Sequence, residues 1–106
     1  MIIYDRGILK THAGDSYSFA VKIKGLIPYT DYEIFYQING RPPVVKSEKT
    51  TTDESGSATV LFSIAVEENS RPGTFTYGIK TCKDGLEDTV KCGTLVVLDK
   101  IVEGTI

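Results

Sequence analysis

The chain has 106 residues, 41% of them hydrophobic and 25% charged, which is the composition of one ordinary globular domain with a core that needs no staples. A formal net charge of -2 carries no basic excess, so nucleic acid is not expected as a partner. No apolar run approaches the roughly 20 residues that a membrane-spanning helix needs, and no membrane partner is expected.

The first ten residues, MIIYDRGILK, lack a basic leader, a long apolar stretch and a small-residue cleavage site. With Met1 as the natural start, the protein is expected to stay in the cytoplasm that makes it, or to leave by a non-secretory route. Ile2 to Tyr4 is a short apolar opening. Ile8 to Thr11 is predicted as a first edge strand, ending at Ala13-Gly14-Asp15. The single histidine, His12, lies in this polar edge segment without an assignable carboxylate or hydroxyl partner. Nothing there indicates a histidine-dependent triad.

Residues 16–38 organise the rest. Tyr17, Phe19, Val21 and Ile23 alternate with Ser18, Ala20, Lys22 and Lys24, and Tyr32, Ile34, Tyr36 and Ile38 alternate with Glu33, Phe35 and Gln37. A period of two means one buried face and one wet face, the pattern of an antiparallel sheet. GLIPYT turns the chain between the two runs. Asn39 to Pro43 is a loop, since Asn-Gly favours positive φ and two prolines cannot donate to a ladder. Val44 to Lys49 is predicted as a short edge strand and Thr50 to Ser57 as a polar turn. Ala58, Val60, Phe62, Ile64 and Val66 share one face of the next strand. After a turn at Asn69 to Gly73, Phe75, Tyr77 and Ile79 share another. Asp84-Gly85 starts the last hairpin, and TVKCGTLVVL closes the chain with a bulge expected at Gly93.

About seven short strands at regular spacing predict an all-β, immunoglobulin-like β-sandwich over residues 1–106. In that layout the Ile8, Ser16 and Ala58 runs form one sheet, and the Val44, Tyr32, Phe75 and Thr89 runs form the other. Asp31, Asp53, Glu54, Asp84, Glu87 and Asp88 then gather at one end as an acidic rim. Carboxylates in loops suit calcium, and they equally suit solvated turns. No loop has the spacing of a calcium motif, so no metal is assigned.

On the outward face of the second sheet stand Phe35, Val96, Leu98 and Cys92, candidate residues of an interaction surface. Scattered surface apolars give the same pattern, so both readings stand. Inward residues should face one another, which sets Ile79 opposite Leu95 or a position two away. Cys82 and Cys92 are then nearly opposite and within reach of a disulfide. A tight two-residue turn at Asp84-Gly85 would separate them, and without a signal peptide free thiols are favoured. There is no P-loop, no GxGxxG and no GxSxG. No catalytic residue and no cofactor is assigned, and the chain is not expected to be an enzyme.

Leu26-Ile27-Pro28-Tyr29-Thr30-Asp31-Tyr32 resembles the L-x-P-x-T-x-Y corner of fibronectin type III domains, where the tyrosine hydroxyl ties a sandwich corner to the backbone. In that family the corner comes late; here about seventy residues follow Tyr32. A second resemblance covers nearly the whole chain. It runs from Gly14-Asp15-Ser16-Tyr17-Ser18-Phe19, through Asp53, Gly56 and Ala58-Thr59-Val60, to Arg71-Pro72-Gly73-Thr74-Phe75-Thr76-Tyr77-Gly78-Ile79-Lys80 and Cys92-Gly93-Thr94-Leu95-Val96-Val97. This order resembles the N-terminal β-sandwich of phage upper baseplate and related tail proteins of Gram-positive bacteria. The resemblance implies a non-enzymatic virion structural module, assembled in the host cytoplasm as a homo-oligomer or against other virion proteins. The alternative is an immunoglobulin-like adhesion or spacer domain at a bacterial cell surface.

Overall fold

The computed structural model describes residues 2–5, 7–40 and 43–99. Dyad alternation becomes strands β1 (Ile3–Asp5), β2 (Ile8–His12), β3 (Tyr17–Ile23), β4 (Asp31–Asn39), β5 (Val44–Thr51), β6 (Ala58–Ile64), β7 (Gly73–Lys83) and β8 (Leu86–Leu98). One sheet runs β1-β2-β8-β7-β4-β5 and the other pairs β3 with β6. The all-β class is as expected, and β5 is an edge strand as expected.

Four details differ from the sequence reading. The Ile8 run does not join β3. It lies parallel to β8, from Ile8 opposite Thr94 to His12 opposite Leu98, and β1 covers its other side. Periodicity states which face of a strand is buried and is silent on which strand lies beside it. Second, β6 ends at Ile64. Val66 opens a short 3-10 turn, Val66–Asn69, and is exposed. Third, Phe75, not Ile79, faces Leu95, while Ile79 faces Lys91. Fourth, the bulge is not at Gly93: Ile79 pairs with Lys91 and Lys80 with Thr89, which leaves Val90 as the extra residue. Gly93 has a different task. A Cβ there would collide with the Gly7 carbonyl and the Tyr77 ring, because the Tyr77 hydroxyl crosses this position to donate to Gly7 O at 3.0 Å.

Both sheets contribute to one core. Tyr36 and Ile34 of β4, Phe62 and Ile64 of β6, Ile79 of β7 and Leu95 of β8 are almost wholly buried in it. The Tyr36 ring lies 4.9 Å from that of Phe19, edge to face, 5.7 Å from Phe62 and 5.9 Å from Tyr77. Its hydroxyl hydrogen-bonds that of Tyr17 at 3.0 Å, so two buried phenols satisfy one another across the sheets.

Burial pushes the Tyr36 phenol well above its ordinary pKa, with Tyr17 beside it adding to the rise. Burial also raises Tyr17, against the lowering effect of its bond to Tyr36. A raised folded-state pKa keeps the proton on the folded chain when the unfolded chain has released it. The associated stability is complete below the ordinary tyrosine value of 10.0 and is lost as pH climbs above it. Urea midpoints are therefore expected to fall above pH 10 and to fall less steeply in Tyr36→Phe. Equal slopes for the two proteins would contradict this account.

Asn69 closes the end where β2 turns into β3. Its side-chain amide is buried and donates to Thr11 Oγ1, His12 O and Asp15 O at 3.3, 3.0 and 2.9 Å, and the Asn69 backbone carbonyl accepts from Gly14 N.

Candidate functional site

The outward face of the six-stranded sheet carries the predicted surface residues, and the pairing registers place each of them. Phe35 stands between Ser47 of β5 and Lys80 of β7; Cys92 stands beside Gly78. Val96 lies between Thr74 of β7 and Lys10 of β2, and Leu98 is opposite His12. Counting along β7 from Lys80 to Thr74 separates Phe35 from Val96 by six residues, about 20 Å at strand rise. The four residues therefore do not make one patch. Val96 and Leu98 instead share the β2–β8 end with Ile8, which faces Thr94 and is diagonal to Val96. Ile8 is 37% and Leu98 43% exposed, and Val96 is half-buried.

The hairpin turn separates the cysteines. Asp84 and Gly85 take positive φ, 53° and 78°, and Lys83 pairs with Leu86. Cys82 then faces Glu87, Cys92 faces Gly78, and both thiols are free.

At the same end as this hairpin, the chain builds the corner that the fibronectin resemblance describes. The Ile27 amide donates to the Tyr32 hydroxyl at 3.1 Å. Thr52, almost fully buried, knits the two loops together: its hydroxyl accepts from Thr30 N at 2.9 Å and donates to Ile27 O. Leu26 N bonds Gly56 O and Tyr29 N bonds Asp53 O. This scaffold holds Tyr29 at φ 52° with 74% of its surface in water, beside Ile27 at 54%. A bulky residue at positive φ is strained, and the surrounding bonds sustain it. Sequence reading treated GLIPYT as a turn and missed this exposed pair. The Tyr-Thr at its end, with no Asn or Gly where the left-handed residue falls, was the available signal.

Three carboxylates of the acidic rim, Asp31, Asp53 and Asp84, are engaged by neighbouring groups. Asp53 accepts from Ser55 N, Ser55 Oγ and Ser57 N, and these bonds, Ser57 first, hold its carboxyl below the usual range. Asp31 accepts from the Thr51 hydroxyl and Asp84 from Lys83. Among the described residues no three His, Cys, Asp or Glu side chains stand together as a metal site.

A cleft of about 590 Å³ opens beside the 3-10 turn, floored by Ile38, Val44, Phe75, Leu95 and Val97. Glu68 on its rim pairs with Lys46 at 2.7 Å and accepts from Ala65 N, and both contacts lower its pKa, Lys46 more.

Comparison with protein-family models, with curated proteins and with solved structures finds no match in any of the three.

Proposed function

We propose that this chain is a non-enzymatic structural module that works by protein–protein assembly, in a phage tail or baseplate. The observation that carries the assembly reading is the apolar group Ile8, Val96 and Leu98. It lies on adjacent strands of a sheet face that alternation would otherwise leave polar. The virion setting rests on the sequence resemblance alone. The proposed finer architecture is an immunoglobulin-like sandwich in which the first strand has moved to the sheet of the last. It is supported by the β3–β6 pair, the β5-β4-β7-β8 order and the tyrosine corner.

In multi-angle light scattering, Val96→Asp is expected to lower the assembled mass while circular dichroism stays that of the folded chain. Phe35→Glu, some 20 Å away by the strand-rise estimate above, tests whether the surface extends across the sheet. Unchanged mass in both variants removes the reading. The genes flanking the coding sequence test the setting: capsid, tail and lysis genes are expected, and a sortase-anchored surface operon would overturn it.

A further inference from the structure

Strand edges are templates for pairing, and proteins blunt those they leave open. Among the described residues this fold has five open edges. β6 carries no charge, but β5 of the other sheet lies along it. β1 is three residues long. β5 carries Lys46, Glu48 and Lys49. The first half of β8, beyond the reach of β2, carries Glu87, Asp88 and Lys91 and is broken by the bulge at Val90. β3 has none of these protections. Its seven residues, YSFAVKI, include one charge, no proline, no glycine and no register break against β6.

Burial along β3 is also lopsided. Phe19 and Val21 point toward the core but are only half-buried, whereas their β6 partners Phe62 and Val60 are 1% and 7% exposed. The core therefore has an uncovered flank along this strand.

We infer that the free edge of β3 pairs antiparallel with the same edge of a second copy, about a two-fold axis at Ala20. The register is self-complementary. It sets Tyr17 against Ile23, Phe19 against Val21 and Ala20 against Ala20, each with its counterpart in the other copy. Every residue of the strand is paired, and inward faces meet inward faces. Lys22, the one charge, meets Ser18 and not another lysine. The two small sheets become one four-stranded sheet, and Phe19 and Val21 gain cover. A seven-residue contact is small beside a standard interface, so the dimer is reversible and concentration-dependent. This site is separate from the Ile8–Val96–Leu98 surface.

Ala20 is exposed, so a charge there leaves the monomer's core untouched and falls on the dyad of the dimer. Sedimentation equilibrium is expected to show wild-type chains dimerising with concentration. Ala20→Lys and Ala20→Glu should each dissociate about tenfold more readily, because like charges face one another. An equal mixture of the two variants should regain wild-type affinity. Amide exchange in β3, and not in β5, should slow as wild-type concentration rises. A wild type that stays monomeric, a dimer indifferent to both variants, or β3 exchange that ignores concentration overturns the inference. A dimer lost in Val96→Asp but kept in Ala20→Lys also overturns it, while leaving the proposed assembly surface standing.

Discussion

Tyr36→Ala is expected to remove about 5 kcal/mol of folding stability, roughly the full stability of many chains this size. Two terms combine. The first is the cavity, since Tyr36 is wholly buried and its ring touches Phe19, Phe62 and Tyr77 across both sheets. Truncating a large aromatic in such a place costs about 3–5 kcal/mol. The second is the stranded Tyr17 hydroxyl, which is bonded at 3.0 Å to Tyr36 and left without that partner inside the protein. An orphaned buried hydroxyl adds about 1–3 kcal/mol. Tyr36→Phe separates the terms, because it keeps the packing and loses only the hydrogen bond. Urea titration should find Tyr36→Ala largely unfolded without denaturant and Tyr36→Phe folded with a lowered midpoint. A folded Tyr36→Ala with a near-native midpoint would mean that the aromatic cluster is not the keystone of the core.

That Tyr36 would be central was legible in the sequence. Its strand alternates without a break, and so do β3 and β6, so their inward faces could be assigned from letters alone. What alternation withholds is partnership. The parallel seat of β2 beside β8 depends on a five-residue segment choosing one sheet over the other, and its apolar positions suit both. Register was partly legible. Asp84-Gly85 is the sequence of a two-residue hairpin turn, and that turn alone fixes Lys83 against Leu86 and draws Cys82 away from Cys92. The competing rule, that apolar faces apolar, misled because Ile79 faces Lys91 in a half of β8 where Leu86 to Cys92 are all exposed. The candidate surface was legible by face and not by position. Phe35, Cys92, Val96 and Leu98 do occupy outward positions, but how far apart they stand depends on the bulge at Val90, which no residue in TVKC announces. Ile8 joined the group only once β2 was placed.

Gly56→Ala is expected to cost about 3 kcal/mol, far more than the usual price of a loop alanine. Gly56 has φ 76°, where a Cβ already strains the backbone. The larger effect is contact. A Cβ at this position would overlap the Leu26 carbonyl oxygen and approach its carbon to 2.9 Å, and backbone atoms cannot swing aside as a flexible side-chain end can. Relief requires the loop after β5 to part from the loop after β3. That motion strips the Leu26 N to Gly56 O bond and loosens the Thr52 and Asp53 contacts that seat Thr30 and Tyr29. The effect should therefore be visible at a distance from the substituted residue. Amide exchange in Gly56→Ala should accelerate at Leu26, Tyr29, Thr30 and Thr52 beyond the change set by global stability, while Asn69 and its neighbours at the other end follow global unfolding. Uniform acceleration across both ends would show that the two loops are not interlocked as their hydrogen bonds imply, and the strained, exposed Tyr29 would then lose its explanation as a residue held in place by this joint.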